Sequence, residues 1–186
     1  MGRIEDAIMY ATKKHEGQRR KSSKLPYIMH PLEVATIIAT MTEDEDAIIA
    51  GLLHDVVEDT NTDIEEIATM FGTTVAKLVS SETENKYTEQ NPSDTWKRRK
   101  METLAELIGS DDIRVKMLWL GDKLANIRSM AAAYETVGES LWEVFHQHDP
   151  KMHEWYYRAV AEAVEPELGT TDAFDEFKKR INQMWG

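Results

Sequence analysis

The sequence predicts an all-α protein. Apolar residues recur at helical spacing along most of the chain. No alternating strand pattern of useful length appears, and neither does a repeat or a low-complexity tract. Only 5 Pro and 9 Gly punctuate 186 residues, too few for a turn-rich all-β fold. With 41% hydrophobic and 30% charged residues the chain reads as globular and long enough for a sizeable core. We expect one domain over residues 1–186, with its core at about 3–134 and a C-terminal helical extension at about 135–186 packed onto it.

The elements follow in order. Ile4, Ala7, Ile8 and Ala11 mark a first helix. Pro31 sits in a first turn and opens LEVATIIATM. Thr42 with Glu45 has the form of a capping box, followed by AIIAGLLHDVVED, apolar nearly all round and therefore a central buried helix. Thr62 with Glu65 repeats the capping pattern before IEEIATMF, which Gly72 ends. TVAKLVSSET is amphipathic, and residues 85–95 read as a polar loop. Ser93 or Asp94 is expected to cap the helix carrying WKRRKMETLAELI, and Ser110 a long helix from about Asp111 to Tyr134, with Met117 and Trp119 in the core. Asp149-Pro150 pairs a cap with a proline at the first helical position, and a last helix spans about Thr171 to Met184.

Composition excludes several functions. With no cysteine there is no disulfide, thiol nucleophile or thiolate metal site. A net charge of −12 argues against nonspecific nucleic-acid binding. No apolar run approaches the length of a membrane span and no signal peptide is read, so a cytoplasmic protein is expected. Yet 10 of the 22 basic residues lie in two short segments: Lys13, Lys14, Arg19, Arg20, Lys21 and Lys24, then Lys97 to Lys100. An isolated basic run is most often a solvated face. Two runs converging on a reactive site would instead bind a multiply charged anion.

A reactive site is suggested inside the most apolar stretch. His54-Asp55 is followed one turn later by Glu58-Asp59, and positions i and i+4 share a helix face. Four ionisable groups on a buried turn are costly unless paired or bound to metal. His30 just before Pro31 and Asp122 in MLWLGDKLANIR add one nitrogen and one oxygen donor. Mixed His and Asp ligands suit Mn, Fe, Co or Zn better than Ca or Mg. The remaining histidines, His15, His146, His148 and His153, read as surface or packing residues.

The stretches HEGQRRKSSKLPYIMHP, AGLLHDVVEDT, FGTTVAKLV and LGDKLANIR resemble the hydrolase domain of Rel/SpoT alarmone enzymes, and more closely the stand-alone small alarmone hydrolases, including the metazoan SpoT homologue. The resemblance covers about residues 3–134 and implies an HD-domain metal-dependent phosphohydrolase helical bundle. Such enzymes cleave the 3′-pyrophosphate of ppGpp or pppGpp, giving GDP or GTP plus pyrophosphate, typically with Mn2+. Carried over by motif, His30, His54, Asp55 and Asp122 would be metal ligands, and Glu58 and Asp59 would position and activate the attacking water. Glu58 is the expected base, though the sequence does not separate the two. Arg20, Lys21 and Asn126 would contact the nucleotide, with Lys97 and Arg98 as phosphate contacts. Arg128 is equally a ligand or a structural ion pair. The chain departs from its relatives at Thr83-Glu84-Asn85-Lys86, where an Asp-Lys pair is common. The expected partner is a small-molecule nucleotide, and, with no synthetase domain in view, the activity is degradation without synthesis. Two alternatives remain: an HD phosphohydrolase on NADPH or a deoxynucleotide, and a nucleotide-binding regulator without catalysis. An intact acidic pair weighs against the second.

Overall fold

The computed structural model describes residues 2–20, 24–84, 87 and 89–186. The chain order is α1 (Arg3–Lys14), α2 (Met29–Ala39), α3 (Glu45–Leu53), α4 (Val56–Asp59), α5 (Ile64–Phe71), α6 (Thr73–Ser80), α7 (Pro92–Gly109), α8 (Ile113–Val137), a 3₁₀ turn (Gly138–Val144), α9 (Pro150–Leu168) and α10 (Asp172–Trp185). The protein is all-α: among the described residues no strand forms, only an isolated bridge between Arg19 and Pro26. None of these helices is long and apolar enough to cross a membrane.

Side-chain caps set most helix starts, often one or two residues from the position expected. Asp44, not Thr42, caps α3 by accepting from the Asp46 and Ala47 amides; Thr42 Oγ1 accepts from Asp44 N one step earlier. Asp63, not Thr62, caps α5 through the Glu66 amide. Asn91 accepts from Ser93 N with Pro92 behind it, so α7 begins inside the segment read as loop. Asp112, not Ser110, caps α8. Most of these displaced caps pass to a carboxylate, the stronger acceptor for amides at a positive helix end. Asp149 caps α9 as expected, and Thr171, read as the start of the last helix, is the cap of α10. Gly72, at φ 100°, ends α5 and starts α6.

The expected continuous helix AIIAGLLHDVVED breaks in two at His54-Asp55, where Asp55 takes φ −90° and ψ −6°. That bridge-region conformation is common at functional residues. The break is therefore local to the dyad.

The core gathers around α8, whose residues 115–125 are all buried. Helix α2 lies against both α3 and α8. Two glycines permit that approach. A Cβ on Gly51 would stand 2.6 Å from Ile38 Cδ1 and 3.3 Å from Ala35 Cα, and one on Gly121 would stand 3.1 Å from Ile38 Cγ1. Gly51 lies three residues before His54 and Gly121 immediately before Asp122, so the close crossing brings α2 and its His30 to both. Helices α9 and α10 pack against α8, burying Val160, Val164, Phe174 and Phe177. Arg128 ties three helices together: Nη1 donates to Glu33 Oε1 at 3.1 Å, and Nη2 to Glu176 Oε2 at 2.5 Å.

Candidate metal centre and active site

The α2–α3–α8 crossing brings four donor atoms together. His30 Nε2 lies 3.2 Å from His54 Nε2, 2.9 Å from Asp122 Oδ1 and 3.5 Å from Asp55 Oδ2. His54 Nε2 lies 3.0 Å from Asp55 Oδ2 and 3.6 Å from Asp122 Oδ1. Ligand atoms about 2.1 Å from one ion lie about 3.0–3.4 Å apart at right-angled to tetrahedral geometry. The observed spacings, from 2.9 to 3.6 Å, bracket that range. His54 Nδ1 lies 2.9 Å from the Gly51 carbonyl, which assigns the proton to Nδ1 and leaves the Nε2 lone pair inward. His30, His54 and Asp122 are fully buried and could hold a metal ion, with Asp55 beside them.

Electrostatics favour a cation here. Burial would raise the Asp55 carboxyl, but His54 and His30 hold it well below its ordinary range. Burial opposes ionisation of Asp122 as well, and Lys123 and the two imidazoles overcome it. Burial lowers the His30 pKa, favouring the neutral imidazole that a ligand requires. For His54 burial acts in the same direction, yet the adjoining Asp55 and Asp122 raise it well above the ordinary value. One buried carboxylate, Asp122, and one half-buried, Asp55, thus draw positive charge to the spot where the four donors converge, and the donor set fits a divalent ion.

The surrounding groups orient these donors. Tyr27 donates to Asp55 Oδ2 at 2.5 Å. Burial, with Asp55 alongside, drives the Tyr27 phenol far up, so it stays a donor. Lys123 donates to Asp122 and, at 3.1 Å, to Glu82. Burial pushes Glu82 up to about 8. Asn126 Nδ2 donates to Asp122 Oδ1 at 2.7 Å, and Arg20 Nη2 donates to Asn126 Oδ1 at 3.2 Å. The half-buried Arg20 is therefore linked through one amide to Asp122 of the candidate metal site.

A cleft opens from this centre. Its inner lobe, of about 450 Å³, is lined by the four donor residues, Glu58, Asp59, Asn126, Arg99 and Lys100, among others. The adjoining lobe, of about 580 Å³, carries Arg19, Arg20, Tyr156 and Tyr157. Both lobes share Tyr27, Trp96, Lys123 and Asn126.

Glu58, Asp59, Arg20 and Asn126 thus meet the four donors in one cleft. Lys97 and Arg98 do not: Lys97 faces the Trp155 ring at 5.8 Å, and Arg98 stacks on Tyr87 at 3.8 Å. The phase of α7 explains this. Its buried face runs Trp96, Thr103, Leu104 and Leu107, which turns the next pair, Arg99 and Lys100, toward the cleft. Lys21 and Lys86 lie outside the described residues. Arg128 takes the structural alternative described above. His15 packs as expected, bonded to Gln18. His146 and His153, read as surface or packing, both line the inner lobe. His153 sits among Trp96, Trp142 and Phe145, with Nε2 donating to the Gln147 carbonyl at 2.8 Å. The packing reading holds: His153 falls at helical spacing on the buried face of α9, with Tyr156, Tyr157, Val160 and Val164.

Comparison with known proteins gives a consistent result. A family profile described as the HD domain matches residues 7–146. The guanosine-3′,5′-bis(diphosphate) 3′-pyrophosphohydrolase of Aquifex aeolicus is 40% identical over 127 residues, 68% of this chain and 18% of that protein. The GTP pyrophosphokinase of Myxococcus xanthus is 39% identical over 129 residues, 68% of this chain and 17% of that protein. The chain spans under a fifth of the length of these curated relatives. Among solved structures, a metazoan ortholog of SpoT, described as hydrolysing ppGpp and acting in starvation responses, superposes with a TM-score of 0.78 at 25% identity. That match covers 100% of this chain and 97% of the other. A protein of Listeria monocytogenes EGD-e superposes with a TM-score of 0.72 at 33% identity, over 84% of this chain and 98% of its own.

Proposed function

This chain belongs to the HD-domain family, and from that premise we propose that it hydrolyses the 3′-pyrophosphate of guanosine tetra- and pentaphosphate, yielding GDP or GTP and pyrophosphate. The observation that carries the proposal is the convergence of His30, His54, Asp55 and Asp122 in a cleft that also holds Glu58 and Asp59.

In this reading the four residues hold one divalent cation, Mn2+ by preference. Once bound, such an ion lowers the pKa of a coordinated water and polarises a phosphoryl oxygen. The chain's own groups supply the rest. Glu58, on the short helix directly after the dyad, accepts the proton of the attacking water, and Asp59 assists. The water oxygen bonds to the phosphorus attached to O3′, the P–O3′ bond breaks, O3′ takes up a proton, and pyrophosphate departs. Asn126 spans Asp122 and Arg20, so it fixes the distance between the metal centre and the cationic group that meets the nucleotide. Tyr27 keeps the Asp55 oxygen aimed inward. Lys123 offsets charge on Asp122 without entering the donor set. The cleft's aromatic faces, Trp96, Tyr156 and Tyr157, exclude water and offer stacking surface to a base. An intracellular nucleotide substrate implies a cytoplasmic location.

Product analysis of the purified protein with Mn2+ against a nucleotide panel tests the proposal. Pyrophosphate released from ppGpp ahead of any product from NADPH or deoxynucleotides is the expected result. Brisk hydrolysis of the latter with ppGpp untouched contradicts it.

A further inference from the structure

The inner lobe sets a problem for an anionic substrate. Among its described lining residues three cations, Arg99, Lys100 and Lys123, face six carboxylates. Lys123 is committed to Asp122 and Glu82. Arg99 and Lys100 instead share a single carboxylate, Glu84. Arg99 Nη1 lies 2.5 Å from Glu84 Oε2, and Lys100 Nζ donates to Glu84 Oε1. One carboxylate between two cations leaves one positive charge over.

The two cations have supports that do not depend on Glu84. Arg99 Nη2 donates to the Pro92 carbonyl at 3.2 Å. Lys100 Nζ lies 4.8 Å from the centre of the Tyr156 ring and 5.9 Å from that of Trp96. The Arg99 Nε–H is buried with no hydrogen-bond partner among the described residues, so one donor of the fork is unused. The group is sheltered from bulk water: Arg99, Lys100 and Glu84 side chains are 13%, 17% and 10% exposed. Two pre-positioned cations, in the same lobe as the four candidate metal donors, suit an anion with more acceptors than a carboxylate offers. A diphosphate group has that chemistry.

We propose that Arg99 and Lys100 bind the diphosphate moiety of the substrate, and that Glu84 competes with it for the two cations. The inference deepens the phosphohydrolase reading and rests on it. Displacing Glu84 would exchange a carboxylate for an anion with more acceptor oxygens at the same two cations. Glu84 then sets the affinity for phosphate groups, and through it the ease of product release.

The test is calorimetric titration of inorganic pyrophosphate into the metal-loaded protein at a fixed free-metal concentration. Glu84→Gln is expected to tighten binding about tenfold, and Lys100→Gln to weaken it by about tenfold or more, as hydrogen bonds to charged groups are gained and lost. Should Lys100→Gln not fold, the double variant Glu84→Gln/Lys100→Gln leaves no carboxylate without its ammonium, and weaker binding than in Glu84→Gln alone supports the same assignment. Weaker pyrophosphate binding in Glu84→Gln would show that Glu84 buttresses the cations, and would overturn the proposal; so would no change in either variant. The functional reading is judged separately. Wild-type protein that binds pyrophosphate through these residues yet leaves ppGpp uncleaved overturns the reaction and spares the subsite. Cleavage of ppGpp with the opposite Glu84 effect overturns the subsite alone.

Discussion

Replacing Gly51 by alanine tests the link between helix crossing and metal centre. Two effects oppose each other. Alanine in a helix is favoured over glycine by about 1 kcal/mol. Overpacking a dense core costs about 1–3 kcal/mol. The new Cβ would meet Ile38 Cδ1 at 2.6 Å and the Ala35 backbone at 3.3 Å. Ile38 is wholly buried, so its methyl has no open space to enter, and Ala35 contributes backbone, which yields only if α2 moves. Overpacking therefore wins, and a net loss of about 0–2 kcal/mol follows. Displacing α2 also carries His30 away from His54, whose Nε2 atoms stand 3.2 Å apart. We expect metal affinity to fall about tenfold, the equivalent of about 1.4 kcal/mol. Urea unfolding of the apo protein and competition with a fluorescent chelator give the two numbers. Gly109→Ala is the control, since its added Cβ meets nothing within 4 Å. If Gly51→Ala is as stabilising as Gly109→Ala and binds metal as wild type does, the close-crossing argument is wrong.

Other expectations concern single groups. Glu58→Gln should keep the fold and the metal while kcat falls at least about a hundredfold, because the amide does not accept the water proton; full turnover would move the base to Asp59. Arg128→Ala should cost about 1 kcal/mol in urea unfolding, since its partners Glu33 and Glu176 are roughly one-third exposed and partly screened, with KM unchanged. A tenfold higher KM at unaltered stability would return Arg128 to the ligands. Burial lowers the pKa of His153, and Lys100 adds to this. The unfolded chain therefore binds that proton more readily, and stability declines as pH falls through about 6.5 and below. His153→Gln should flatten the stability profile between about pH 7 and pH 5 relative to wild type; an unchanged slope would refute the assignment.

Much of the fold was legible because a helix announces itself by period and cap. Asp149-Pro150 and Thr171 mark helix starts in sequence and structure alike. Elsewhere several hydroxyl and carboxylate residues stand within two positions of a helix start, and only geometry chooses among them, as at Thr42 and Asp44. The break at His54-Asp55 left no trace, since the apolar pattern runs through it and the turn depends on contacts with distant Tyr27 and His30. Clustering of His30, His54, Asp55 and Asp122 could be expected from residue types and motif. The choice of Arg99 and Lys100 over Lys97 and Arg98 was within reach, had the Trp96–Leu107 face been followed around α7. The packing place of His153 was within reach too, since it stands at helical spacing with Tyr156, Tyr157 and Val160; that this face also lines the cleft was not, because it depends on how α9 packs against α7 and α8.

Hydrolysis of ppGpp in ¹⁸O-labelled water with Mn2+, read by mass spectrometry of both products, tests the central claim most directly. Attack of water on the phosphorus attached to O3′ predicts one ¹⁸O in each released pyrophosphate and none in GDP. Orthophosphate as the first product, label in the nucleotide, or no metal-dependent release would contradict the account.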